Sequence, residues 1–148
     1  MKRFQFPLET ALKVRKLEAE VEEAKLLRLE REKAGCRRSL DQLAATARQR
    51  PACLLTGEPV TRAQLEDMDR LGVFVKKERQ RLSDLEGALL HKIATGRGQL
   101  RQAEQRVELL DRLKAKAKDG WRQEADKELQ TLAEESYNHQ FQTREDSE

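Results

Sequence analysis

Aromatic side chains make up only 4% of the 148 residues, with one Trp, one Tyr and four Phe. A compact domain of this length buries about two-thirds of its unfolded surface, and that takes more large apolar side chains than this chain holds. At 37% apolar residues and a mean hydropathy of −0.88, the composition argues against a globular α/β enzyme. Glycine and proline are equally sparse, at seven and three. Cys36 and Cys53 are the only cysteines. They form neither a disulfide framework nor a metal-ligand pattern, and a reducing, cytoplasmic setting suits them. No apolar run approaches the length of a membrane span, and the opening MKRFQFPLE lacks the apolar core of a secretory signal.

What is abundant is charge, 39% of residues, set among Ala, Leu and Gln. With periodic apolar positions, that composition signals long helices or a coiled coil rather than disorder. Lys and Arg outnumber Asp and Glu by 13 to 8 over residues 1–50 and by 8 to 7 over 51–100, but trail them 9 to 12 over 101–148. Both signs are interspersed throughout. A nucleic-acid binder concentrates positive charge on one stripe with aromatics interleaved, so the pattern reads as a solvated helical surface and no nucleic-acid partner is expected.

Punctuation is concentrated between residues 51 and 59, PACLLTGEP. Pro51 stops an arriving helix, because its ring removes a donor and clashes with the preceding turn. Thr61 and Gln64 have capping-box spacing, which starts a second helix at 61 or 62. Pro7 suits a first helical turn and Glu9 complements the positive helix end. The expected organisation is one coiled-coil domain: helix one over about 7–50, a turn over 51–60, helix two over about 61–140 and a frayed tail over 141–148. The fold class is all-α, an antiparallel coiled-coil hairpin whose second helix is longer and overhangs.

The apolar phases refine this expectation. In helix one, Val14, Leu17, Val21 and Ala24 form a first stripe. Leu26, Leu29, Cys36, Leu40, Leu43 and Ala47 form a second, shifted one, interrupted at Lys33. In helix two, Met68, Leu71, Val75, Leu82, Leu85 and Leu89 hold one phase, with Glu78 at the missing position. Ile93, Gly96, Leu100, Ala103, Val107, Leu110, Ala117 and Trp121 hold another, and the step from Leu89 to Ile93 reads as a stutter. Gly87, Gly96 and Gly98 cluster there and suggest a bend or soft point, over residues 87–98, in a continuous rod. Counting equal arms back from the turn, helix one reaches only to about residue 103 of helix two. Residues from 104 to about 137 are then expected to overhang, with Val107, Leu110, Ala117 and Trp121 uncovered.

Catalytic chemistry has no foothold in this pattern. Gly96-Arg97-Gly98 lacks a third glycine and a preceding strand. His91 and His139 have no partner at metal-ligand spacing. Ser39 and Ser83 lie within helices with no base to activate them. No enzyme activity, cofactor or metal is expected.

Three stretches carry a family resemblance. The first is the opening FQFPLETALKVRKLEAEVEEA, with its aromatic-x-aromatic start, Leu8-Glu9, Leu12 and Arg15. The second is Ala34-Gly35-Cys36-Arg37 midway along helix one. The third is QRVELLDRLKAKAKDGWRQEADKELQTLAEESY, a leucine-rich turn followed by basic residues, the aromatic-Arg pair Trp121-Arg122 and a Glu-Leu-x-x-Leu-Ala ending. Together they resemble the flagellar type III export protein FliJ family over nearly the whole chain. The glycines at 96–98 and the proline-bracketed turn depart from it.

That resemblance implies a two-helix coiled coil similar to the central stalk of rotary ATPases. It would insert its joined helix ends into the flagellar export ATPase hexamer, contact the cytoplasmic domain of the export gate and help recycle export chaperones. It would lie in the cytoplasm at the inner face of the cell membrane at the flagellar base, without direct membrane insertion. On this reading Leu110, Lys114, Trp121 and Arg122, helped by Arg15, contact the ATPase ring, and Leu71, Phe74 and Val75 contact the gate. Two other roles fit the same rod: a dimeric structural coiled-coil scaffold, and the equivalent stalk of a non-flagellar type III secretion system.

Overall fold

The computed structural model describes residues 3–52, 57 and 59–145. Among them all regular structure is helical: α1, Glu9–Ala52, and α2, Arg62–Glu145. The two helices pack against each other, and the second is the longer. Cys53 and half of the turn over 51–60, residues 53–56 and 58, lie outside the described residues, as does the end of the expected tail, residues 146–148.

The helix boundaries follow from local chemistry. The Thr61 amide donates to Gln64 Oε1 at 2.9 Å, and the Gln64 amide donates back to Thr61 Oγ1 at 3.3 Å. This reciprocal capping box satisfies two of the orphan donors at the start of α2. At the start of α1, Pro7 sits in a turn just ahead of the helix. There the Glu9 amide donates to the Phe6 carbonyl at 3.1 Å, and Glu9 occupies the first helical turn. α1 ends at Ala52, one residue past Pro51. Gly57 adopts φ +74°, a left-handed conformation that glycine enters without a Cβ penalty.

Contacts group the chain into two units, residues 20–102 and residues 1–19 with 103–148. In the 20–102 unit α1 and α2 run antiparallel. Leu82, Leu89 and Cys36 form a buried cluster against which Leu29, Leu40 and Leu43 pack. The Cys36 thiol donates to the Leu82 carbonyl at 3.2 Å, so it behaves as a small core residue with a satisfied weak donor. Interhelix ion pairs flank the seam, Arg97–Glu30 at 3.5 Å and Arg37–Glu86 at 3.8 Å. Exposed pairs of this kind add little stability, but their like-charge alternatives penalise wrong registers.

Burial corrects the assignment of the stripes. Apart from Glu9, Glu18 and Gly35, the described positions of α1 that are partly or fully buried follow one series, Leu12, Arg15, Ala19, Glu22, Leu26, Leu29, Lys33, Cys36, Leu40 and Leu43. Its steps of three and four never slip. The expected first stripe lies on the opposite side of α1: Val14, Leu17 and Val21 are about half exposed or more, Leu17 at 60%, and Ala24 is exposed. Ala47 is exposed as well. The outer stripe is more apolar than the inner one over these residues, which is why periodicity alone selects it.

In α2 the expected stutter is also absent. Val75, Leu82, Glu86, Leu89, Ile93, Gly96, Leu100, Ala103, Val107 and Leu110 are all at least partly buried, in regular heptad steps. The four-residue step from Leu89 to Ile93 is one ordinary step of that repeat. Leu71 and Leu85 lie beside the seam rather than in it, and Ala117 is exposed.

α2 is continuous through the glycine cluster. A Cβ on Gly96 would meet Leu26 Cδ1 at 3.5 Å. The missing side chain therefore leaves a notch that the Leu26 side chain approaches, a large residue set against a small one across the seam.

Candidate interaction surface

In the unit formed by 1–19 and 103–148, the opening of the chain meets the late part of α2. Phe4 and Trp121 have ring centroids 6.0 Å apart and a 56° interplanar angle, a tilted contact within the favourable aromatic range. Lys114 Nζ pairs with Glu9 Oε2 at 2.7 Å, and Lys16 Nζ with Asp111 Oδ1 at 3.8 Å. Leu12, 1% exposed, and Ala103, 7% exposed, are buried in this unit.

These contacts overturn the expected start of the overhang. Residues 104–121 are not uncovered, because residues 4–16 of the opening lie along them. The equal-arm count fails because the two helices are not paired from the turn outward. Cys36 meets Leu82 and Glu30 meets Arg97, so the register is displaced toward the C-terminal end of α2 relative to equal arms counted from the turn. Trp121 thus has a facing aromatic, and the uncovered stretch begins after the buried Ala125, with residues 126–141 all exposed.

The residues expected at an ATPase ring all lie in this unit, but in different states. Leu110, Lys114 and Trp121 are partly buried seam positions. Arg15 is partly buried and bonds Glu18 at 2.8 Å. Arg122 is exposed, paired within its own helix to Asp119 at 3.8 Å. In the other unit, Leu71 and Phe74 are exposed, Phe74 at 58%, while Val75 is partly buried. Of the residues expected at an export gate, the first two are therefore open on α2.

The Lys114 hydrogen bond holds the Glu9 carboxyl below the ordinary carboxylate range. It outweighs the partial burial that acts the other way, and the charges of Lys114, Lys13 and Lys16 add to it. A depressed carboxyl pKa stabilises the fold above the unfolded-state pKa, and that contribution is lost as pH falls through the folded-state pKa. The stability margin of the wild type over Glu9→Gln should therefore be complete at neutral pH and shrink in acid. Urea midpoints measured from neutral to acidic pH check this. A margin that stays constant into acid would exclude the ion pair as its source.

Ser39, singled out by the sequence, holds a local, structural bond: its Oγ donates to the Gly35 carbonyl at 3.1 Å. Among the described residues no group of three His, Cys, Asp or Glu side chains is placed to hold a metal ion. No described helix is long and apolar enough to cross a membrane.

Sequence reasoning missed Phe4 as the partner of Trp121, although the aromatic-x-aromatic opening was its signal. It also missed Leu129, Leu132, Tyr137 and Phe141, all exposed by more than half. No family model, curated protein or solved structure matches the chain.

Proposed function

We propose that this protein is a non-enzymatic component of a flagellar type III export apparatus, a coiled-coil stalk that promotes assembly of the export ATPase ring. One observation carries the reading. The two sequence blocks on which the FliJ resemblance chiefly rests are far apart in the chain, yet they meet in one unit through Phe4–Trp121, Glu9–Lys114 and Lys16–Asp111. A family whose helix ends act jointly requires such a juxtaposition.

Mechanistically, a stalk of this kind works by binding free energy alone. A ligand with higher affinity for the assembled ring than for free subunits shifts assembly by mass action. In this proposal Arg122 offers an exposed cation to the ring, while Leu110, Lys114, Trp121 and Arg15 hold the paired end that presents it. Leu71 and Phe74, beside Val75, form the patch for the cytoplasmic domain of the export gate, and export chaperones are further partners. The protein then works in the cytoplasm, held peripherally at the membrane by the apparatus.

The test is ATP hydrolysis by a purified flagellar export ATPase titrated with this protein, with ring formation followed by light scattering. The expected result is stimulation that coincides with ring assembly and is weakened at least about tenfold by Arg122→Glu, a reversal at an exposed contact. Absence of both signals with the wild-type protein would overturn the proposal. Stimulation unaffected by Arg122→Glu would remove Arg122 from the contact surface.

A further inference from the structure

After Ala125 every side chain described to Phe141 is exposed. At 1.5 Å per residue, 126–141 extend over about 24 Å of helix. Leu129, Leu132, Ala133, Tyr137 and Phe141 recur at spacings that place them on one side of it. Leu132 is 61% exposed, and the Tyr137 and Phe141 rings contact each other with centroids 5.5 Å apart. An isolated helix of this length is marginal in water, and most helical stability comes from covering an apolar face. A stripe left open in this way marks an interaction surface.

The charges around the stripe say what covers it. Between 123 and 141 there are five carboxylates, Glu124, Asp126, Glu128, Glu134 and Glu135, against one basic residue, Lys127. At 100° per residue, Glu124, Glu128 and Glu135 line a single edge, beside Leu132. A second copy of the same segment would bring two acidic edges together, and like charges across an interface oppose association. An anionic membrane surface is opposed for the same reason.

We propose that this segment of α2 docks a basic amphipathic helix of another protein. The apolar face of that helix would cover Leu129, Leu132 and Tyr137, and its Lys or Arg residues would lie along the Glu124–Glu128–Glu135 edge. This is helix-on-helix recognition, in which apolar anchors supply affinity and flanking charges choose the partner. The inference does not rest on the export reading, because the partner is defined by its chemistry alone.

The experiment measures fluorescence anisotropy of a labelled helical probe peptide of about three heptads, with Leu at the seam positions and Lys elsewhere, titrated with the full chain. A scrambled peptide of the same composition has no apolar face. Two variants alter only exposed residues: Leu129→Gln with Leu132→Gln, Tyr137→Gln and Phe141→Gln, and separately Glu124→Lys with Glu128→Lys and Glu135→Lys. Circular dichroism and urea midpoints establish that both variants stay folded.

Binding to the ordered peptide should exceed that to the scrambled one by at least about tenfold and fall by a similar factor in each variant. The loss in the charge variant should shrink at high salt. Equal binding of scrambled and ordered peptides, or wild-type affinity in the apolar variant, would reduce the surface to nonspecific charge and overturn the proposal. Sedimentation of the wild type as a dimer that the apolar variant converts to monomer would assign the stripe to a second copy and overturn it as well.

Discussion

Leu89→Ala should destabilise the protein by about 3 kcal/mol, whereas Leu85→Ala, four residues earlier, should cost less than about 1 kcal/mol. Both leucines belong to the same apolar phase when the sequence is read alone. The structure separates them: Leu89 is 3% exposed and sits in the cluster with Cys36 and Leu82, while Leu85 is 43% exposed. Truncating Leu89 removes its transfer free energy and leaves a cavity between two helices that have little else to fill it. Leu85 already touches water, so its truncation forfeits only part of a side chain's burial.

The consequence of losing Leu89 is larger here than in a globular core. Two facing helices bury one stripe each, and among the described residues few large side chains, Leu12 at 1%, Leu89 at 3% and Ile93 at 4%, are almost wholly removed from solvent. A single-seam fold has no second layer of contacts to take up the loss, so about 3 kcal/mol is a large fraction of the 5–15 kcal/mol typical of stable domains. Urea unfolding followed by circular dichroism measures both variants. Equal costs would mean that the two leucines share the seam, and would restore the phase that the burial pattern rejects.

The same pair of residues shows where sequence reading stops. The capping box at Thr61 and Gln64, the arrest of α1 near Pro51 and the number of helices were all legible, because each depends on residues within a few positions of one another. The phase of α2 from Ile93 to Leu110 was legible too, since one apolar stripe dominates there. Over residues 12–24 of α1 two stripes compete. The more apolar one, Val14, Leu17 and Val21, lies outside, while Arg15 and Glu22 occupy positions in the seam. Periodicity reports that a face is apolar, but not which face meets the other helix.

Register was illegible for a different reason. It depends on which residues complement one another across the seam: Gly96 receiving Leu26, Cys36 bonding the Leu82 carbonyl, Lys114 meeting Glu9. Such pairs join positions 46 to 105 residues apart in the chain, and no local pattern encodes them. Misplacing the register moved the expected open surface toward the chain's middle. It left the real one, Leu129 to Phe141, unremarked. The candidate site was therefore legible as a class of surface, an apolar overhang on the longer helix, but not in its position.

Trp121→Ala should cost about 2 kcal/mol, because Trp121 is only partly buried and forfeits less than the 3–5 kcal/mol of a core Trp. Phe4→Ala should cost less, since a near-terminal segment has fewer contacts to lose. The informative quantity is the coupling between them. If the rings stabilise each other as their 6.0 Å separation implies, the double variant should be less destabilised than the sum of the singles by about 1 kcal/mol. A spectroscopic readout is built into the chain, because Trp121 is its only tryptophan. Phe4→Ala should move Trp121 emission to longer wavelength as water replaces the ring, without altering the Leu82–Leu89 cluster some 80 residues away in sequence. Strict additivity of the two substitutions, with unchanged emission, would mean that the opening segment does not rest on α2 in solution. Residues 104–121 would then be an open face after all, and the juxtaposition that carries the stalk reading would be lost with it.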